Sequence, residues 1–429
     1  MRIVILTNVY PPHMIGGYEV ICAHVVRELE ARGHECFVLT SNFKGTTSDG
    51  NDSAEARVRR SLVLTNRHCS DESPNKLERN VVWQLGVERY DLGLFRRYLG
   101  EVRPDLLFAW NTYALPLSLL FEAQAMGLKT VHYVADWSFG LHPGWWRAHE
   151  GKGREGVLQS ARGALTGFLM QQFLPYNYSA VRLAPRRAIF CSQSMLDGFR
   201  QRGLPLDKAE VIYPGIEMPP EDEEPLGRET SSLPRLVYLG RVTEEKGVHT
   251  ALEAMNSLVN ERGYSGLKLT VLGHIFQEDY RQKLNAIVAN GNLYENVVFL
   301  GGVPSKETGR LLSCFDALVF PSIWDEPFGL TRIEAMARGL AVVSTTTGAG
   351  KEILVDGENA LTFAPGDPVD LANQIERLIR HPDLRTRLGE AGRAQVLQIY
   401  SVPRMVDKIE NYLSRVAGAV DARDGVSCA

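Results

Sequence analysis

The chain has 429 residues, of which 44% are hydrophobic and 23% charged, the make-up of an ordinary globular protein large enough for two domains with separate cores. A formal net charge of -4 gives no global basic field, which excludes a protein whose main business is holding nucleic acid. No apolar run reaches the length of a transmembrane helix, and the opening MRIVILTNVYPP has too short a hydrophobic stretch for a signal peptide. The six cysteines, Cys22, Cys36, Cys69, Cys191, Cys314 and Cys428, form no C-x-x-C pair, and most lie in apolar runs, as buried thiols do. The expectation is a cytoplasmic protein in a reducing compartment, with no nucleic-acid partner.

Short runs rich in β-branched residues recur along the chain with room for a helix between them. RIVILT opens the series; Tyr18, Ile21, Val25 and Leu29 then follow helical spacing, with Gly33 where a C-terminal cap belongs. ECFVLT, the polar loop KGTTSDGNDSAEAR, DLLFAW, KTVHYVAD and RAIFCS follow. The acidic, proline-bearing segment from Pro219 to Pro234 reads as a linker or surface loop. RLVYLG, LKLTVLG, NVVFLGG, ALVFPS and LAVVSTT then repeat the pattern, Leu371, Ile375, Leu378 and Ile379 mark a later helix, and a final helix is expected around Ser401 to Arg415. Near-continuous apolar strands separated by helices suit parallel sheets covered on both faces. The expected fold class is therefore α/β, with two doubly wound Rossmann-like domains facing each other across a cleft and ligands at the carboxyl ends of the strands. The boundaries expected are residues 1–215, residues 216–400, a helix over 401–417 crossing back to the first domain, and a disordered tail at 418–429.

Three stretches carry candidate chemistry. In TNVYPPHMIGGYEV, Gly16 and Gly17 stand between a strand and a helix, where backbone can approach a ligand and a helix N-terminus attracts an anion; the same pair also serves as a plain flexible turn. In YLGRVTEEKGVHT, Arg241 and Lys246 follow a strand end and Gly240, forming a clamp for a diphosphate, or else surface cations paired with Glu244 and Glu245. In SIWDEPFGLTRIEAMARG, a loop holding Glu326 leads into a helix that starts at Phe328-Gly329-Leu330 and carries Glu334. Carboxylates accept hydrogen bonds and so suit vicinal sugar hydroxyls.

Taken in this order, GGYE, GRVTEEKG and DEPFGLTRIEAMARG resemble a retaining nucleotide-sugar glycosyltransferase of family GT4, with the GT-B fold, and the resemblance covers nearly the whole chain. It implies that Arg241 and Lys246 bind the donor diphosphate, that Glu326 meets the donor sugar and that Glu334 meets the ribose. The peptide groups of Phe328, Gly329 and Leu330 would face sugar and phosphate, Gly16 and Gly17 would close over the diphosphate, and FLGGVP at Phe299 to Pro304 would border the base. On the acceptor side it implies Tyr18, Asp136 and Trp137. The family often carries a histidine before that aspartate where this chain has Ala135; His132, in an apolar run, reads as a core histidine.

The mechanism implied is a front-face displacement in which the departing diphosphate, held by Arg241, Lys246 and helix dipoles, takes the acceptor proton. No cofactor and no metal are expected, since no Asp-x-Asp occurs. The partners expected are a nucleotide-sugar donor and a hydroxyl acceptor: a glycan, a lipid-linked glycan or a natural product. The aromatic and basic segment with Trp137, Trp145, Trp146, Phe168 and Phe173 among Arg147, Lys152, Arg154 and Arg162 is read as acceptor-binding, with contact at the inner face of a membrane as the other use of the same residues. Two alternatives keep the architecture: a nucleotide-sugar epimerase or phosphorylase, and a two-domain sugar-binding protein without turnover.

Overall fold

The computed structural model describes residues 1–14, 16–43, 46–47, 57–65, 81–137, 186–204, 206–220 and 233–418. Most of the polar loop, most of the acidic linker, the aromatic and basic segment from 138 to 185 and the tail after 418 lie outside the described residues. The chain divides into two compact units, the first made of Met1–Cys191, Leu196–Ile212 and the chain from Val406 onward, the second of Ser192–Met195 and Tyr213–Met405.

The first unit contains β1 (Arg2–Leu6), β2 (His13–Met14), α1 (Gly17–Ala31), β3 (Glu35–Ser41), β4 (Thr46–Thr47), β5 (Val58–Leu62), α2 (Val81–Val102), β6 (Leu106–Ala109), α3 (Ser118–Ala125), β7 (Thr130–Val134) and β8 (Ala188–Phe190); α4 (Gln193–Gln201) starts in the second unit and ends here, followed by β9 (Glu210–Val211). Its sheet runs β5-β3-β1-β6-β7-β8-β9, with every pair parallel, while β2 and β4 form a small antiparallel pair. The inner strands are buried along nearly their whole length, which is why their sequences are apolar without alternation. Ile21, Cys22, Val25, Val26 and Leu29 bury one face of α1, whose first turn is tied by the Glu19 carboxylate accepting the Gly16 N–H at 2.9 Å. Gly33, with φ of +86°, supplies the left-handed residue that ends it. Because β3 and β5 lie on one side of β1 and β6 to β9 on the other, the switch point of this sheet falls between β1 and β6.

In the second unit come β10 (Arg235–Leu239), a 3-10 turn (Glu244–Lys246), α5 (Val248–Asn256), β11 (Lys268–Leu272), α6 (Glu278–Asn290), β12 (Val297–Gly301), α7 (Ser305–Leu312), β13 (Ala317–Phe320), α8 (Leu330–Ala337), β14 (Ala341–Ser344), α9 (Gly350–Ile353), β15 (Leu361–Thr362), α10 (Pro368–Arg380) and α11 (Pro382–Ile399). The sheet order is β12-β11-β10-β13-β14-β15, again all parallel, so its switch point lies between β10 and β13. The late apolar stripe is α10: Asp367 caps it by accepting from Val369 and Asp370 N–H, Pro368 opens it, and Leu371, Ile375, Leu378 and Ile379 are buried. A last helix, α12 (Val402–Gly418), starts in the second unit and ends in the first. There Asp407 and Glu410 pair with Arg32 at 2.7 and 2.8 Å, Glu410 also meets His34 at 2.9 Å, and Tyr412 donates its hydroxyl hydrogen to the Lys208 carbonyl.

Inside the first unit α2 buries two carboxyls, Glu88 and Asp91. Ser118 Oγ donates to Glu88, and the Val63 N–H donates to both Asp91 oxygens at 3.0 Å. Burial pushes Glu88 up to about 7 and Asp91 up to about 8, with Val63 opposing the second shift and the charge of Glu88 adding to it. The folded chain therefore holds protons that the unfolded chain has released, so stability falls as pH rises from the ordinary carboxylate range through about 7 to 8. Urea unfolding of the wild-type chain should show this decline, and Glu88→Gln should flatten it, with a gain of the order of 2 kcal/mol at pH 8. Identical slopes in the two chains would count against it.

Candidate active site

The second unit assembles its chemistry from the two loops at its switch point. After β10 the chain passes Gly240 and Arg241, makes the 3-10 turn ending at Lys246, and enters α5 through Gly247. After β13 it passes Ser322 and Glu326 and enters α8 through Gly329. The Glu245 carbonyl knits the two loops together by accepting the N–H groups of Ile323 at 3.0 Å and Trp324 at 3.2 Å, with Ser322 Oγ at 3.3 Å. Gly247 sits at φ of +68°, and a Cβ there would lie 2.1 Å from the Pro321 carbonyl oxygen, so only glycine lets the loops approach this closely.

The outcome is an ion pair across 80 residues of sequence. Lys246 Nζ lies 2.6 Å from Glu326 Oε1, which also accepts Ser322 Oγ at 2.6 Å. The Glu326 side chain is 5% exposed and that of Lys246 17%, so the pair is largely out of water. Both bonds fall on Oε1, leaving Oε2 without a partner among the described residues. Arg241 behaves differently: its side chain is half exposed and its nearest carboxylate is Glu245 at 3.9 Å. Arg241 thus has Glu245 at the limit of ion-pair distance, while Lys246 pairs with Glu326 and not with Glu244 or Glu245.

Gly329, at φ of +80°, caps α8 as expected from the sequence. The Phe328 side chain is buried beside Tyr213 and Tyr400, at ring-centroid distances of 5.8 and 5.7 Å, so only its peptide group is left to serve a ligand. Glu334 lies one turn inside α8; burial raises its carboxyl, opposed by Arg338, and no hydrogen bond or ion pair holds its carboxylate among the described residues. The segment at Phe299 to Pro304 ends β12, where the His274 ring packs so closely on Gly302 that a Cβ there would fall 1.9 Å from Nε2.

In the first unit the expected residues divide. Gly16 is exposed and extended, and a Cβ on it would meet nothing within 4 Å; nothing in this unit demands glycine there. Gly17 is the first residue of α1. Tyr18 is a strut rather than an open hydroxyl. Its Oη lies within donating distance of the Trp110 carbonyl (2.9 Å) and the Tyr133 carbonyl (2.6 Å) and accepts the Ala135 N–H at 3.1 Å, tying α1 to the ends of β6 and β7. Trp137 packs on α4, 5.5 Å from the Phe199 ring and under Arg202 at 5.0 Å. Asp136 follows the end of β7, partly exposed, and its charge adds to the burial that raises Tyr18. His132 is buried on β7, where desolvation lowers it to about 4 and keeps it neutral.

Sequence reasoning missed Ser322, the second donor to Glu326, and Arg332, wholly buried on α8 beneath the loop. The only signal for Arg332 was a cation inside the apolar stripe of Phe328, Ala335 and Met336.

The model for Glycosyltransferase Family 4 matches residues 15–218, and that for Glycosyl transferases group 1 matches residues 223–395. The chain is a GT4-like nucleotide-sugar glycosyltransferase with the GT-B fold. Among its relatives is a glycogen synthase of Mycobacterium tuberculosis, 27% identical over 92% of this chain and 90% of that one. Another is an uncharacterised glycosyltransferase of Methanocaldococcus jannaschii, 24% identical over 94% and 95%. Similar solved structures include sucrose-phosphate synthase from Thermosynechococcus elongatus (TM-score 0.69, 18% identity, 98% and 100% covered) and Anabaena HepE in complex with UDP-glucose (TM-score 0.67, 19% identity, 96% and 99% covered).

Proposed function

We propose that this chain moves a sugar, with retention of configuration, from a nucleotide diphosphate sugar to a hydroxyl of a glycan, lipid-linked glycan or natural-product acceptor. The observation that carries the reading is the Lys246–Glu326 pair with Glu326 Oε2 left open: a cation for a phosphate oxygen and a carboxylate for a sugar hydroxyl, side by side. Arg241 reaches the same diphosphate from its exposed position, the N-terminal peptides of α8 add positive potential, and the unpaired Glu334 receives the ribose hydroxyls. Gly16 and Gly17 serve the diphosphate, and Asp136 contacts the acceptor. In the transfer, the acceptor oxygen bonds to the anomeric carbon on the face from which the diphosphate departs, the bond from that carbon to the phosphate oxygen breaks, and the acceptor proton passes to the leaving phosphate. Catalysis is then stabilisation of the leaving charge together with positioning.

The test is thermal stability against UDP-, GDP- and ADP-sugars, with UDP-glucose first because HepE was captured with it. A stabilising shift for one nucleotide, reduced in Arg241→Ala and Glu334→Ala, is expected; no shift with any would overturn the donor site. Two cations and a helix terminus serve the phosphates without metal, so turnover should survive EDTA. Loss of activity in chelator, restored by Mg2+ or Mn2+, would refute that part. The site of action proposed is the cytoplasm, with the acceptor deciding any contact with a membrane surface; among the described residues no helix is long and apolar enough to cross one.

A further inference from the structure

The chain that follows β14 is bonded to the loop that carries Glu326. Thr345 Oγ1 donates to the Ser322 carbonyl at 2.7 Å, and the Ala349 N–H donates to the Glu326 carbonyl at 3.0 Å. Gly348, at φ of +54°, lies so close to the Glu326 peptide that a Cβ there would fall 2.1 Å from the oxygen and 2.5 Å from the nitrogen. Ala349 leads directly into α9, whose third residue, Glu352, carries its carboxylate to the first turn of α4. There the Gln193 N–H donates to Oε2 at 2.8 Å and the Ser194 N–H to Oε1 at 2.7 Å. All of these groups belong to the second unit.

The first turn of any helix has N–H groups without intrahelical partners. In α4 one of them is met locally, because the buried Ser192 Oγ accepts the Met195 N–H at 3.2 Å. The Gln193 and Ser194 groups are met by a carboxylate 159 and 158 residues further along the chain. Ser192 is already the cap that a helix start calls for, so the remote carboxylate is more than α4 needs in order to begin. What it adds is a tie of two charge-assisted bonds, each stronger than a neutral one, between α4 and the segment Thr345–Glu352. The far end of the donor loop is fixed by other means: the Phe328 ring packs on Tyr213 and Tyr400 at 5.8 and 5.7 Å, and its carbonyl accepts Arg332 Nη2 at 2.6 Å. The main chain at Glu326 is held by Ala349, at the head of the four-residue helix that Glu352 anchors.

We propose that Glu352 is a positioning residue of the donor site: by fastening α9 to the first turn of α4 it holds the Glu326 main chain where the open Oε2 meets the donor sugar, and the bound sugar tightens the α4 turn in return. The proposal rests on the donor-site reading above. Coupling of this kind is reciprocal, so a tie that favours binding is itself strengthened by it. A carboxylate that did no more than cap a helix would leave α4 and the donor independent. The sugar is the part of the donor that feels the loss of the tie, because Arg241 and Lys246, which serve the diphosphate, lie on the loop after β10.

The experiment compares wild type and Glu352→Ala by titration calorimetry with UDP-glucose and with UDP, then with the GDP-mannose and GDP pair and the ADP-glucose and ADP pair if the first pair does not bind. Hydrogen exchange at the Gln193 and Ser194 amides is read with and without the nucleotide sugar. Glu352→Ala should bind the nucleotide sugar about tenfold more weakly, an ordinary size for coupled sites, and the nucleoside diphosphate within about twofold of the wild type. In the wild type the nucleotide sugar should slow exchange at both amides; in Glu352→Ala exchange should be fast and indifferent to it. Gln193→Pro, which removes one of the two donors at a position where a helix accepts proline, should weaken sugar binding in the same sense by a smaller factor, and it carries the test if the alanine variant does not fold. Wild-type affinity of Glu352→Ala for the nucleotide sugar, an equal loss for sugar and diphosphate, or exchange in wild-type α4 that ignores the ligand would each overturn the proposal. If no nucleotide or nucleotide sugar binds the wild type, it is the donor-site reading that has failed, and this inference falls with it.

Discussion

Lys246→Met is expected to lower kcat/KM for sugar transfer by about a thousandfold and to destabilise the chain by about 3 kcal/mol. The two effects have separate origins. Activity falls because the variant has lost the charge that meets the departing diphosphate, and an electrostatic contact made to developing charge is commonly worth 10²–10³ in rate. Stability falls because Glu326, 5% exposed, is left with only Ser322 as a partner, and a buried charge stripped of its counter-ion costs far more than the intact pair contributes. The double variant Lys246→Met/Glu326→Gln separates them. Unfolding should return close to the wild-type midpoint, while transfer stays as low as in the single variant or lower. A single variant with wild-type stability would mean that the pair is looser than its 2.6 Å separation indicates.

Gly247→Ala is expected to be nearly as damaging without touching a charge. The residue is held at φ of +68°, unfavourable for any side chain, and the added methyl would stand 2.1 Å from the Pro321 carbonyl oxygen. Relief requires parting the loops after β10 and β13, which are joined through the Glu245 carbonyl. A loss of about 3 kcal/mol or more is expected on unfolding, together with a raised KM for the donor as Lys246 and Glu326 shift apart. Gly16→Ala is the matching control for fold, since its backbone is extended and the new methyl meets nothing within 4 Å. Its unfolding midpoint should match the wild type, so that any change in donor binding reports on the ligand alone.

The long inner strands were legible because both of their faces are buried, and RIVIL, LKLTVL or ALVF has few other uses. Three of the four edge strands of the two large sheets were not. VRRSL in β5 carries two arginines, and β9 and β15 are two residues long, too short for any period to show. The site was legible as a set of residue types, but not as a set of contacts. The spacing of Arg241, Lys246, Glu326 and Glu334 carries the family resemblance, yet nothing in it says that Lys246 prefers Glu326 to its neighbours Glu244 and Glu245. That choice follows from β10 and β13 lying side by side in the sheet. The bonds of the Tyr18 hydroxyl were hidden for a related reason: the carbonyls that engage it come from Trp110 and Tyr133, at the ends of other strands. Arg332 reads as surface in a list of residue types and proves to be core, because the space for its guanidinium is supplied by the absent side chains of Gly329 and Gly350.

The route of α12 bears on how such enzymes can be recombined. From Val406 onward this helix belongs to the first unit, where Ile409 and Leu413 are buried, Asp407 and Glu410 hold Arg32, and Arg415 reaches Glu210 at the edge strand at 2.8 Å. A hybrid made by joining residues 1–212 to the second half of another family member would exchange more than its donor specificity. It would also import a foreign last helix against Arg32, His34 and β9, so compatible chimaeras need two crossovers, with the native C-terminal turns travelling alongside the N-terminal module.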